Sequence, residues 1–428
     1  MAEEQRHKKT LTPKQKRKRK MISYSIFFVA LLILVVSLML AFGDLSAMGT
    51  TFGEIIKGDH WIYLLISILI VIVYFILYPL PLMLLGKTVD SEATPTETWL
   101  IGNSEHFYNG VTPSSVGGQP FQAYAFTNCG VSGAKSTGMI LMNYINIVLV
   151  SNLFGLISLI YYPRYIAGLE NVGGADLSSL QWIAVLGVIL NAVNLVFFLV
   201  LGFSKHARKA MVGIVKWVCK WKWLGKHLSK LVPAFDKYLE NTQTAAKQVV
   251  KHKRRFVLAV ALRFAILFML YSMPFFLLKA VGMEVSPNDF MVITLGTAFA
   301  TVCVSFFPTP GGVGAGELVA MVVVASIMVG SMDYDAAKAV SLMWRFLSFY
   351  LVIFASFVVS AIFEAKIGRN LKVTEEEKKA EQPKPEEGAS MEIPTEEPEP
   401  QEVQEHRENP AETPPIGEIQ EPKENDAE

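Results

Sequence analysis

Cysteine is nearly missing. Cys129, Cys219 and Cys303 are the only three, far apart and without a CxxC pair, which excludes a disulfide framework and a cysteine zinc site. Charge is scarce as well, at 18% of residues with a formal net of +1, so the chain has no overall sign with which to attract an acidic or basic partner. Catalytic signatures are also lacking: there is no HExxH, phosphate loop, nucleophile elbow or cofactor-binding fingerprint. Nothing points to nucleic acid, because the basic runs adjoin apolar segments.

What the chain has instead is hydrophobic residues, 52% of the total, with a mean hydropathy of +0.36. Runs of twenty or more apolar residues of this kind belong in a bilayer. Residues 1–20 end in a basic cluster, Lys14 to Lys20, directly before the run Met21 to Phe42. No small-residue cleavage site follows a short apolar core, so an uncleaved first span is expected. The positive-inside rule then puts the N-terminus in the cytoplasm.

Further spans are expected at Trp61–Leu85, Thr137–Tyr162, Leu180–Phe203, Phe256–Val281 and Ala336–Phe363. The insert 205–255 is rich in Lys and Arg and is assigned to the inside. Trp217, Trp221 and Val212 alternate with its lysines. Part of it is therefore expected either in the interface against anionic lipid or as a solvated helix with snorkelling lysines. Residues 371–428 are dominated by Glu and Pro with hardly an aromatic, a composition that does not build a core and is expected to be disordered.

Between the spans one phrase occurs twice. Thr112-Pro113-Ser114-Ser115-Val116-Gly117-Gly118 returns as Thr309-Pro310-Gly311-Gly312-Val313-Gly314-Ala315. Pro removes a donor and Gly tolerates strained backbone, so each copy is expected to break a helix into a hairpin. The arms are Thr98–Asn109 with Phe121–Gly133, and Phe290–Phe307 with Glu317–Gly330. Counting spans places the hairpins on opposite faces. The fold expected is an all-α polytopic membrane protein of about six full spans plus two re-entrant hairpins, in an inverted repeat with halves 21–162 and 180–364. Matched breaks in two halves point to a transport site.

At the breaks, the N–H groups of Gly117, Gly118, Gly311, Gly312 and Gly314 suit an anion such as a lipid phosphate, with Thr112, Pro113, Thr309 and Pro310 shaping the turns and Gln119 adding an amide. Charged residues inside apolar spans default to function, which singles out Arg263 and Arg345. Arg263 either neutralises the anion or snorkels to the surface; Arg345 either does the same or pairs structurally. Glu317 reads an ammonium, an arginine or a proton, or complements a helix dipole. Glu105 and His106, near the first tip, suit proton coupling. Asn143, Asn146, Asn191 and Asn194 lie within spans and are expected to hydrogen-bond between helices.

The stretch from Thr112 to Tyr124, the run Gly130-Val131-Ser132-Gly133-Ala134-Lys135-Ser136-Thr137, the segment Phe307 to Glu317 and the pair Trp344-Arg345 together carry a resemblance. The chain resembles the lysylphosphatidylglycerol synthase transmembrane family, the flippase-like membrane domain of bacterial multiple peptide resistance factor proteins. That resemblance covers roughly residues 20 to 370. It implies a bacterial plasma-membrane protein with both termini cytoplasmic, moving an anionic or aminoacylated phospholipid, or a lipid-linked intermediate, between leaflets. Phosphatidylglycerol lysyltransferase, or its membrane subunit in cationic peptide resistance, is the alternative. Full-length members carry a soluble transferase domain where this chain has its Glu/Pro-rich stretch, and many relatives have Gly-Glu where Gly118-Gln119 stands here. Membrane lipids are the expected partners, with a homo-oligomer possible.

Overall fold

A computed structural model describes residues 58–112, 117–161, 178–219, 232–304 and 334–380, besides Gly53, Ile55, Lys57 and Ser115. The expected span Met21 to Phe42, the flanking termini, and Pro113, Thr309, Pro310, Gly311, Gly312, Gly314 and Glu317 lie outside the described residues. Those described are helical throughout, with no strand among them.

The expected second span is a helix in two pieces, α1 (Trp61–Leu77) and α2 (Leu80–Gly86). Pro79 cannot donate to the helical ladder, and the axis breaks beside it. The first hairpin follows as α3 (Pro95–Val111) and α4 (Gly118–Asn128). Next come α5 (Gly133–Ser158) and α6 (Ser178–Phe203). The basic insert folds as α7 (Lys205–Val218) and α8 (Val232–Lys251). A second broken span comprises α9 (Lys253–Tyr271) and α10 (Met273–Ala280), with Pro274 in the first turn of α10. The series ends with α11 (Asp289–Val304), α12 (Tyr334–Arg345), a π-turn over Phe346–Tyr350, and α13 (Leu351–Ala380).

Among the described residues, five helices are long and apolar enough to cross a bilayer: Trp61–Gly86, Gly133–Ser158, Val185–Phe203, Lys253–Ala280 and Ala339–Lys366. These are the five expected spans that fall among the described residues. Their outer faces carry bare stripes such as Leu65, Leu69, Ile72 and Ile76 on α1, as suits helices surrounded by lipid chains rather than water.

The two broken spans lie side by side and antiparallel, and three contacts fix the register. Arg255 Nη1 donates to the Lys87 carbonyl at 2.6 Å, the Arg263 guanidinium carbon sits 4.4 Å from the Tyr78 ring centre, and Lys279 Nζ sits 5.5 Å from that of Tyr63. Residue numbers rise on one helix as they fall on the other. One end of the bundle gathers Lys87, Lys135, Arg255 and Lys366, and we call it the basic end.

The hairpin arms enter from opposite ends. At the basic end α3 begins with a capping box: Thr94 Oγ1 accepts from the Glu97 N–H and Glu97 Oε2 accepts from the Thr94 N–H. From there α3 runs antiparallel to α13, through the ion pair Glu97–Lys366 and the bond from the Phe107 N–H to Ser356 Oγ, to Gly110 against Ile353. The 13 steps from Glu97 to Gly110 rise roughly 20 Å at 1.5 Å each, more than half the thickness of a bilayer core of about 30 Å. Meanwhile α11 starts a short link after α10, at the Tyr63–Lys279 end. Ser158 on α5 donates to its Leu295 carbonyl, as Ser356 on α13 donates to the Asn103 carbonyl of α3.

These correspondences share one offset. His60 and His252, Lys87 and Lys279, Glu92 and Glu284, Thr94 and Ser286, Pro95 and Pro287, and Asn103 and Leu295 are all 192 positions apart (279 − 87, for example). Asp90 and Gly282 obey it too, and both have positive φ, at 48° and 82°. The N–H of Ser91 bonds to the Gly86 carbonyl, and that of Met283 to the Leu278 carbonyl. Two helices thus end in the same left-handed turn, of the kind that closes helix C-termini.

The insert is more firmly seated than its composition suggests. Ala245, Ala246 and Val249 of α8 are buried, and a Cβ on Gly138 of α5 would lie 2.6 Å from the Ala245 Cβ, so the two helices touch nearly backbone to backbone. Gln243 Nε2 donates to the Leu201 and Ser204 carbonyls, which pins α8 to the junction of α6 and α7. Among the described residues the lipid-interface reading therefore falls on α7, where Ile214 and Trp217 stay exposed among lysines and Arg208 pairs with Asp236 and Glu240 of α8.

Candidate functional site

Below the first break lies a buried polar cluster assembled from α1, α3, α4, α5 and α9. Its centre is Glu105, 2% exposed. The carboxylate accepts from four donors: Gln122 Nε2 at 3.0 Å, Gln119 Nε2 at 3.2 Å, and Asn109 Nδ2 and the Tyr78 hydroxyl each at 3.4 Å. Four donors match what two carboxylate oxygens accept, and here they tie both arms of the hairpin to the broken span. The arms close on one another because Gly118 has no side chain; a Cβ there would stand 2.6 Å from Glu105 Cγ and 2.7 Å from Asn109 Oδ1.

Tyr78 occupies the joint just before Pro79, where the break presents its ring to three groups. Its hydroxyl serves Glu105, one face takes the Arg263 guanidinium, and the His106 ring lies with its centroid 4.0 Å away. The acid and the base thereby meet through one aromatic ring. His106 also packs near Tyr74 and Phe75, and its Nε2 has no protein partner.

Arg263 is 1% exposed and so does not snorkel. Nη2 donates to Asn143 Oδ1 at 3.2 Å, while Nε and Nη1 have no protein partner. A buried guanidinium holding donors in reserve is costly unless something fills them, and its planar fork suits a phosphate or carboxylate. One helical turn from Asn143, both amide atoms of Asn146 are buried without a protein partner, as are those of Asn103 on α3. Most of the buried polar atoms so placed among the described residues belong to this cluster and the helices around it.

The break itself is closed by its own side chains. The Gly117 N–H donates to Thr112 Oγ1 at 2.9 Å, and the Gly118 N–H to Asn109 Oδ1 at 2.8 Å. Where a ligand was expected on these donors, the hairpin's hydroxyl and amide occupy them, as buried N–H groups in so tight a turn require. Gln119 likewise turns inward to Glu105. In the other half, Arg345 is 9% exposed and places its guanidinium carbon 4.1 Å from the Phe349 ring centre, directly before the π-turn that packs on α1. A π-turn inside a span often accompanies function.

The structure therefore joins Glu105, Gln119 and Arg263, three residues singled out from sequence, with Thr112, Gly117 and Gly118 shaping the tip beside them. It adds Tyr78, Asn109, Gln122 and Asn143, which sequence reasoning did not choose for the site. An asparagine inside a span and a tyrosine before a proline were the available signals. Asn194 Nδ2 donates to the Tyr144 hydroxyl and Asn143 Oδ1 accepts from Arg263, the interhelical bonding expected of that group, whereas Asn191 is bonded to Asn152 only through its backbone carbonyl and its Nδ2, like the Asn146 amide, has no protein partner among the described residues.

Compared with known families, the chain matches the Lysylphosphatidylglycerol synthase TM region over residues 23–356. No curated protein and no solved structure matches the chain.

Proposed function

The chain belongs to the lysylphosphatidylglycerol synthase transmembrane family, and from that premise we propose that it is a lipid translocase, passing an anionic or aminoacylated phospholipid headgroup between leaflets of a bacterial plasma membrane with its basic end in the cytoplasm. The observation that carries this reading is the pairing of opposite-facing hairpin arms with Arg263, a buried cation that keeps two donors open. Alternating access needs elements that meet from opposite leaflets, and an anion crossing apolar surroundings needs a cation within them. Arg263 holds the phosphate. Glu105 fixes the hairpin against the broken span and exchanges a proton as the headgroup passes. Arg345, the glycines Gly311, Gly312 and Gly314, and Glu317 complete the path from the other half.

Purified protein in liposomes with fluorescent phosphatidylglycerol tests this by following how fast outer-leaflet label exchanges. Arg263→Ala and the double variant Glu317→Gln with Arg345→Ala are each expected to slow exchange at least tenfold. Exchange at the wild-type rate in both would overturn the proposal.

A further inference from the structure

The turn after α10 repeats the turn after α2, but the two ends are finished differently. At the basic end the polar groups are consumed. Lys135 Nζ reaches in from α5 to Glu92 Oε1 at 3.0 Å and the Asp90 carbonyl at 3.3 Å, and Arg255 covers the Lys87 carbonyl. At the opposite end the same turn borders a cavity of about 460 Å³ lined by His60, Tyr63, Lys279, Met283, Glu284 and Ser286. Glu284, the counterpart of Glu92, is exposed and makes no ion pair with a described residue. Lys279 lies 5.5 Å from the Tyr63 ring centre and 5.0 Å from that of Phe275, which hold an ammonium at the wall without neutralising it. Ser286 Oγ accepts from the Asn288 N–H, leaving its hydroxyl hydrogen to donate.

We infer that this cavity binds the headgroup of a zwitterionic aminophospholipid, with its phosphate on Lys279 and Ser286 and its ammonium on Glu284. One fixed cation and one fixed carboxylate beside an aromatic ring complement a phosphate and an amine carried on the same small group. The volume lies within the ordinary range for small-ligand sites. Position agrees too: the cavity sits where α1 begins and α10 ends, at headgroup depth in the leaflet away from the basic end. This deepens the translocase reading by giving its cargo a station in the far leaflet, and it rests on that reading only for the choice of a lipid.

Binding is measured without transport, by titrating detergent-purified full-length protein with dihexanoyl phosphatidylethanolamine, dihexanoyl phosphatidylglycerol and free phosphoethanolamine. Glu284→Gln is expected to weaken the ethanolamine lipid about tenfold and leave the glycerol lipid unchanged. Lys279→Gln is expected to weaken both at least tenfold, and Lys279→Arg to restore them, which separates lost charge from lost folding. Equal binding of both lipids by wild type, Glu284→Gln and Lys279→Gln would overturn the assignment. Phosphoethanolamine competing as well as its lipid would overturn a lipid as the source. Wild-type protein that binds in this pattern yet exchanges no lipid would sink the translocase reading and leave this one standing.

Discussion

The first hairpin arm and its second-half counterpart stand at equivalent places in the fold and do different work. On α3, Glu105 accepts from four side chains, Asn109 of its own helix, Gln119 and Gln122 of α4, and Tyr78 at the joint of the broken span. On α11 the equivalent position is Thr297 (297 − 105 is again 192), and its hydroxyl bonds back to the Ile293 carbonyl of its own helix, as that of Thr294 does to the Phe290 carbonyl. The helix pairs behind them differ in the same way. Tyr78 and Arg263 form a polar contact, whereas their counterparts Leu270 and Val71 are buried members of the apolar core. A duplicated frame positions both arms, and among the described residues at these equivalent positions the charged side chains are Glu105 and Arg263, both around the first arm. The frame accounts for opposite entry; the asymmetry sets the Glu105–Tyr78–Arg263 contact in one half against apolar packing at the equivalent place in the other.

Breaking the asymmetry at its strongest point has the largest expected effect. Arg263→Met should reduce leaflet exchange at least tenfold while leaving the melting temperature unchanged or raised, because replacing a partly partnered buried charge with an apolar side chain is often neutral or stabilising by about 1–4 kcal/mol. Val71→Ala, at the equivalent place, should do the reverse: a stability loss of about 1–3 kcal/mol in thermal unfolding, with exchange within twofold of wild type. Next comes Glu105→Gln. An amide offers one acceptor oxygen and turns an NH₂ group toward the donors of Gln119 and Gln122, so a loss of about 1–3 kcal/mol is expected, against less than 1 kcal/mol for Thr297→Val.

Gly118→Ala sharpens the comparison from the hairpin side. Its Cβ meets Glu105 Cγ and Asn109 Oδ1 below 3 Å, and it should cost about 1–3 kcal/mol and loosen the two arms, seen as faster hydrogen exchange over 95–128. The smallest effects are expected where the halves agree. Thr94→Ala and Ser286→Ala should each cost about 0.5–2 kcal/mol by removing a side chain from equivalent helix starts. Burial of Glu97 opposes its ionisation, but the Thr94 N–H and hydroxyl and then Lys366 outweigh it and hold the carboxyl below the ordinary value of 4.5. Its contribution is therefore present above that value and fades as pH falls through the lower folded-state value. Glu97→Gln should flatten the acid limb of the stability profile by less than about 1 kcal/mol.

Much of the frame was legible in the sequence because it is written in long apolar runs and in Gly and Pro, whose physics is local. Five of the expected spans appear as helices of the expected extent, and Thr112 and Gly117 bound the first break as their residue types imply. The offset between halves was less visible. Its markers, among them Lys87 with Lys279 and Thr94-Pro95 with Ser286-Pro287, are scattered among unlike residues, and the pairing of Asp90 with Gly282 shows only in their backbone angles. The site was legible in part. Arg263 stood out as a charge inside an apolar span and Glu105 by its place beside His106 near the first tip, but Tyr78, Gln122 and Asn143 come from separate helices and are ordinary residues until packing brings them together. The donors of Gly117 and Gly118 read as open because sequence does not reveal that Thr112 and Asn109 turn back on them.

Equivalent turns of the two halves are expected to face opposite sides of the membrane. Single cysteines placed at Thr94 and at Ser286, with Cys129, Cys219 and Cys303 replaced by serine, can be labelled by a membrane-impermeant maleimide in sealed vesicles of known orientation. Labelling of the two positions from opposite sides is the predicted result; labelling of both from the same side would contradict the account.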